Sequence, residues 1–231
     1  MRKLPVPVAG LLLAAGGGRR LGMPKGLLVD ADGMPRIARV CEQMRAAGCS
    51  PIVVVLGASA EEVASLLPDH AQAVVAEDWE HGMSSSLTVG LSALTAGSGS
   101  SNVRGTGTDP AAEAPAELPA AEAPAELPAA ALVMLVDLPD VDENAMTRVI
   151  ECGFEAFPEV ENALVRATWD SEPGHPVLLG RVHWSAAIRS AVGDQGARAL
   201  LDGAGVFTVE CGDLGTGLDV DRPEDLEGTP R

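Results

Sequence analysis

The sequence predicts an α/β fold, a mostly parallel sheet with helices on both faces. Three observations predict it. Short apolar runs recur at Val8–Ala14, Pro51–Gly57 and Ala131–Val136 without polar alternation, as in strands buried on both faces. Segments of helical spacing separate these runs, which is the rhythm of repeated strand–helix–strand units. The composition is 46% apolar but only 3% aromatic, so the core must be made of Ala, Val, Leu and Ile.

Each element has its own local reason. Val8–Ala14 is the first strand and runs into a glycine-rich loop. Arg36–Ala47 has helical spacing and stops at Gly48. PIVVVLG, Pro51–Gly57, is β-branched and continuous, hence a buried strand. Ser59–Leu67 reads as a helix opened by Ser59, with Glu61 and Glu62 in its first turn. Gln72–Ala76 is a short strand, Ser84–Leu94 a helix, Ala131–Val136 a strand and Glu143–Phe157 a helix. After Ala163–Ala167 the pattern loosens. Helices are expected at Arg181–Val192 and Gln195–Asp202, and a strand at Val206–Glu210. Gly97–Ala130 breaks the rhythm: a Gly/Ser/Thr-rich stretch precedes Ala111–Pro119, AAEAPAELP, repeated identically at Ala120–Pro128. Frequent prolines and few apolar residues predict a disordered surface insertion there. A partner-docking arm is the other reading of the repeat.

The length of 231 residues suits one domain, 1–231, carrying that insertion. The net charge of −17 argues against nucleic acid and against an anionic membrane surface as partners. No stretch approaches the ~18 apolar residues of a membrane span. Arg2, Lys3 and VPVAGLLLAA imitate a secretion signal. A buried strand entering a glycine loop explains them better, because Pro5 and Pro7 interrupt the apolar part and Arg19 and Arg20 follow it. Cys41, Cys49, Cys152 and Cys211 form no CxxC pair. They read as buried thiols of a reducing, cytoplasmic compartment.

The loop after the first strand carries the chemistry. LAAGGGRRLGMPK, Leu13–Lys25, holds four glycines, two arginines and a lysine in thirteen residues. Glycines let backbone N–H groups crowd a ligand, and the cations make that ligand an anion. A tight strand-to-helix turn would explain the glycines but not three cations beside them. A GxxxxGK[ST] loop fails at Met23 and Pro24, and GxGxxG fails at Leu21. Carboxylates that could hold a metal lie elsewhere. Asp137 follows the strand LVMLV, at the carboxyl end where ligands bind in open α/β sheets. Asp140 suits a cap on the next turn. Asp219 and Asp221 are two apart, so an extended segment puts them on one face. Glu224 and Asp225 behind Pro223 look like capping charges of a helix start.

With Leu13, Ala14, Ala15 and Gly16 followed by Gly18, Arg20, Gly22 and Lys25, the chain resembles nucleotidyltransferases whose signature is LAAGxGxRxGxxK. More narrowly it resembles the MobA-like NTP transferases, in the branch of the molybdenum cofactor cytidylyltransferases. EDWEHGMSSSL (Glu77–Leu87), VDLPD (Val136–Asp140), GHPVLL (Gly174–Leu179), GDQGAR (Gly193–Arg198) and DVDRPEDL (Asp219–Leu226) carry that resemblance, with Arg222 where the family has Thr. It covers nearly all of the chain except the insertion.

The resemblance implies a Rossmann-like domain that transfers CMP from CTP to a molybdopterin-type cofactor, with Mg²⁺ and release of pyrophosphate. It implies that Leu13, Ala14, Ala15, Gly16, Gly17 and Gly18 wrap the triphosphate, with Gly82, Ser84, Ser85 and Ser86 beside the nucleotide. Lys25 and Arg20 would stabilise the transferring group, and Asp137, with Asp219 or Asp221, would hold Mg²⁺. His175, Asp194 and Arg198 would face the acceptor. Against these stand plainer readings. Ser84 is an N-cap, His175 is structural, and Arg198 pairs with Asp194 on a helix. His183 and Trp184 look like packing. The LAAG opening leans towards CTP rather than GTP. Partners are CTP, the cofactor, and a molybdoenzyme or its maturation factor. The alternatives are another phosphorylated acceptor, a nicotinamide-dependent oxidoreductase of the nicotine blue type, and a non-catalytic cofactor carrier.

Overall fold

The structure is a computed structural model that describes residues 2–96, 127–191, 193, 197–203 and 205–226. Seven strands form one sheet in the order β3-β2-β1-β4-β6-β5-β7. They are β1 (Val8–Leu13), β2 (Ile52–Leu56), β3 (Ala71–Val75), β4 (Ala130–Leu135), β5 (Leu164–Trp169), β6 (Glu172–Gly180) and β7 (Phe207–Glu210). All neighbours pair in parallel except β6, which runs antiparallel to both β4 and β5. The helices are α1 (Arg36–Ala46), α2 (Ala60–Ala64), α3 (Met83–Ala96), α4 (Glu143–Ala156), α5 (Trp184–Ser190) and α6 (Arg198–Leu201).

The side-chain period of two in β1 sorts the core. Val8 and Leu12 point to one face, where Ile37, Met44, Met146 and Ile150 of α1 and α4 cover them. Ala9, Leu11 and Leu13 point to the other, under Leu87, Leu91 and Leu94 of α3 and Trp184 and Ala187 of α5. Gly90 lets α3 lie close: a Cβ there would come within 2.4 Å of the Leu11 side chain.

Several expectations need correcting. The sequence predicts no strand over Glu172–Gly180, where Pro173, Gly174 and Pro176 weaken a strand pattern. The breakers lie in the half of β6 that pairs with β5 alone, and pairing with β4 is confined to Val177–Gly180. The insertion ends before Ala130, short of the expected boundary, because Ala130 pairs with Val8 and Ala129 donates its N–H to the Pro7 carbonyl at 2.8 Å. The repeat itself lies outside the described residues up to residue 126. The helix over Ser59–Leu67 is only Ala60–Ala64, and Ser59 sits at φ 52° with no side-chain capping bond. The helix expected at Arg181–Val192 divides into a 3₁₀ turn, Arg181–His183, and α5. The expected cap role passes from Asp140 to Asp142, whose Oδ1 accepts from the Asn144 and Ala145 N–H groups.

Candidate nucleotide and metal site

The carboxyl ends of β1 and β4 open into a cleft of about 550 Å³. Its floor is the glycine loop. Gly18 has φ +54°, and a Cβ there would come within 2.0 Å of the Met23 carbonyl oxygen. The loop therefore closes on itself only with glycine at that position. Its return leg is pinned where the Lys25 N–H donates to the Gly16 carbonyl at 3.0 Å.

Leu13, Ala15, Gly16, Gly17 and Gly18 line the cleft, with Arg20, Lys25 and Asp137. Gly82 and Ser86 close its far side from the start of α3. Ala14 does not face it. Its side chain is buried in the core, and its N–H bonds the Val55 carbonyl. Ser84 and Ser85 stand in the first turn of α3 but are not among the residues lining the cleft.

Lys25 Nζ donates to Asp137 Oδ2 and to Asp221 Oδ1, both at 2.5 Å. Arg20 reaches Asp221 Oδ2 at 3.3 Å from a mostly exposed position. Burial opposes the Lys25 charge, but the two carboxylates outweigh it and hold the ammonium above its ordinary value. Burial also pushes the Asp137 carboxyl up, partly countered by Lys25. The hydrogen bond from Lys25 pulls the more exposed Asp221 down.

One oxygen each from Asp137, Asp219 and Asp221 lies within 4.8 Å of the others. Two segments far apart in sequence are held in register to achieve this. The Val220 N–H donates to the Asp137 carbonyl at 2.8 Å, and the Val220 side chain is buried with Leu21 and Leu28 beneath the glycine loop. Asp140 Oδ2 accepts from the Thr216 N–H and hydroxyl at 2.5 Å. Three carboxylates against one close ammonium leave net negative charge, and a hard oxygen donor set of this kind fits a divalent cation such as Mg²⁺.

The remaining candidates lie elsewhere. His175 does not line the cleft but sits on β6, and its carbonyl accepts from Trp169 Nε1 at 3.0 Å. Burial, helped by the Arg166 charge, pushes its imidazole down to about 4. Arg198 pairs with Asp202 at 3.6 Å; the expected pairing with Asp194 lies outside the described residues. Asp225 caps as expected, its Oδ2 accepting from the Asp221 and Arg222 N–H groups at 3.0 and 2.8 Å. His183 contacts the Asn162 carbonyl, and Trp184 is buried, so both are packing residues. Trp79, part of the EDWEHGMSSSL segment but given no role from sequence, lines the cleft, its ring edge 2.9 Å from where a Gly17 Cβ would be. The available signal was the pair Gly17 and Gly57, each bare where the indole rests.

A glycine-loop cleft with a lysine and clustered aspartates on a parallel sheet defines a nucleotidyltransferase type of site. The MobA-like NTP transferase domain matches residues 10–208, and the chain belongs to that family. It is 30% identical over 228 residues to the nicotine blue oxidoreductase of Paenarthrobacter nicotinovorans, covering 95% of this chain and 94% of that protein. It also resembles the crystal structure of the Rv0371c homologue from Mycobacterium sp. strain JC1. That match has a TM-score of 0.69 and 26% identity over 95% of this chain and 93% of that one. Molybdopterin-guanine dinucleotide biosynthesis protein A from Archaeoglobus fulgidus shares the fold, with a TM-score of 0.60 and 16% identity over 95% of each chain.

Proposed function

We propose that this chain transfers CMP from CTP to the phosphate of a molybdopterin-type cofactor in the cytoplasm. The observation that carries this is the position of Lys25 Nζ, 2.5 Å from carboxylates of both Asp137 and Asp221 at the edge of the glycine-loop cleft. A phosphate oxygen of the acceptor forms a bond to the α-phosphorus of CTP. The bond from that phosphorus to the bridging oxygen breaks, and pyrophosphate leaves. The acceptor is already ionised, so no general base is needed, and positioning with charge stabilisation supplies the rate. The loop from Gly16 to Gly18 receives the triphosphate, while Lys25 and Arg20 meet charge on the transferring group. Asp137, with Asp219 and Asp221, would hold Mg²⁺, which when bound neutralises phosphate charge. His175 and Arg198 face the acceptor, which a molybdoenzyme or its maturation factor would then receive. The lean to CTP rests on the LAAG opening.

Pyrophosphate release from CTP, GTP and ATP, each with Mg²⁺ and a phosphorylated acceptor, tests the reading. CTP should be preferred, and Asp137→Ala should abolish release. The relative named nicotine blue oxidoreductase favours a second reading, reduction with a nicotinamide cofactor. Thermal stabilisation by NADPH without metal, and hydride transfer that survives Asp137→Ala, would select it over the first. Release with a sugar or alcohol phosphate, but not with the cofactor, would change the acceptor alone.

A further inference from the structure

The sheet face that borders the cleft continues past it. Leu13 pairs with Leu135, and both line the cleft. Val133 pairs with Val177 on β6, and Val177 pairs with Arg166 on β5. Residues two apart on a strand share a face. Arg166, paired with Val177, therefore follows Leu135 along this face, moving away from the nucleotide. Leu200 and Leu201 pack α6 onto the same face, and α6 brings Arg198 and Asp202.

The charges there are poorly matched. Arg166 Nη1 meets Asp202 Oδ1 at 3.4 Å, and Arg198 Nε meets Asp202 Oδ2 at 3.6 Å. Both contacts are longer than the ~2.7–2.9 Å of a good charge-assisted hydrogen bond. Arg166 is only 15% exposed, and its Nε is buried with no partner among the described residues. A buried guanidinium N–H without an acceptor is costly and calls for an explanation. Among the described residues the two guanidiniums share one half-exposed carboxylate, in a protein of net charge −17.

We propose that Arg166 and Arg198 form an anion subsite beyond the nucleotide cleft, which takes a phosphate-like oxyanion of the acceptor in the place Asp202 now fills. A tetrahedral oxyanion offers more acceptor oxygens than a carboxylate, so it can meet both forks at once. The identity of this ligand as the acceptor rests on the nucleotidyl-transfer reading. The site itself does not.

Inorganic phosphate, titrated calorimetrically into the metal-free and nucleotide-free protein, is the test. Asp202→Asn should tighten phosphate binding several-fold. Arg198→Gln, at an exposed position where folding is not at stake, should weaken it about tenfold, as should Arg166→Gln. Affinity for CTP with Mg²⁺, measured on the same variants, reports the cleft separately. Phosphate binding that is absent, or lost in Lys25→Ala yet unchanged in Arg198→Gln and Asp202→Asn, overturns the subsite. If CTP fails to bind while phosphate follows Arg198 and Asp202, the subsite stands and the nucleotidyl-transfer reading falls. Competition by a phosphomonoester, compared with free pyrophosphate, separates acceptor from product as the anion.

Discussion

Lys25 was legible as a functional cation from the loop that carries it, but its partners were not. Nothing local links it to Asp137 and Asp221, 112 and 196 residues away in sequence. The contact has a stability consequence. The side chains of Lys25 and Asp137 are 17% and 10% exposed, so removing the ammonium strands a nearly buried carboxylate. Breaking a fully buried pair costs about 3–5 kcal/mol. With Asp221 at 37% exposure, Lys25→Ala should cost less, about 2–3 kcal/mol in the metal-free protein. Urea unfolding should show that loss, and Mg²⁺ should restore part of it, because a divalent cation neutralises the same carboxylates. Transfer activity should stay at least ~100-fold down in the same variant, since a cation aimed at developing charge contributes that much. An unchanged midpoint in the absence of metal would mean that the two 2.5 Å contacts add nothing net. Arg166 illustrates what a sequence hides at this scale. An isolated arginine in a strand carries no signal, and only the fold shows it as a mostly buried charge that meets Asp202 at the end of α6.

At the scale of elements, the parallel units were readable because their apolar runs are long and uninterrupted. The β5–β6 hairpin was not, for a physical reason. Its turn is Asp170 and Ser171 at φ 50° and 73°, and its second strand opens on breakers. Its support comes instead from Glu210 at the end of β7. Glu210 accepts from the Thr168 hydroxyl and from the N–H groups of Asp170, Ser171 and Gly212. The Gly212 N–H, then the Thr168 hydroxyl and the turn N–H groups, hold the Glu210 carboxyl below its ordinary value of 4.5. A carboxylate whose folded value is lowered stabilises the fold above its unfolded value and loses that contribution as pH falls through the folded value. Glu210→Gln should therefore be less stable than the parent at neutral pH, with the difference shrinking as pH drops below about 4.5. Thermal melts of both proteins across acid pH check the sign. The loop before Asp219 offers a second test. Gly217 has φ +64°, and a Cβ there would come within 2.3 Å of the Trp169 ring. Gly217→Ala should shift the segment bearing Asp219 and Asp221. The Mg²⁺ concentration for half-maximal activity should rise several-fold, while metal-free nucleotide affinity holds. An unaltered Mg²⁺ requirement would show that Trp169 does not set the position of those aspartates.

For the whole molecule, the decisive fact is which edge of the sheet each connection uses. The candidate site occupies the carboxyl ends of β1 and β4, where ligand sites of open parallel sheets form. Helix α3 starts there, with Met83 and Ser86 at the cleft, and runs 14 residues to Ala96. The chain re-enters the described fold before Ala130, at the amino end of β4, where Ala129 bonds Pro7 ahead of β1. Both attachment points therefore lie at the edge opposite the aspartates. That placement explains why a repeat inserted between helix and strand is compatible with the site motifs on either side of it. The sequence repeat marked the segment, but only the direction of α3 shows that its attachment points lie away from the chemistry. Replacing residues 99–126 with a short Gly/Ser linker should leave the melting temperature unchanged and the kcat/KM for nucleotidyl transfer within about twofold of the parent, as expected for a connection whose ends are fixed by flanking elements. A much larger fall in kcat/KM with an unchanged melting temperature would instead assign the repeat a part in the reaction. A loss seen only when a molybdoenzyme receives the product would make it the docking arm.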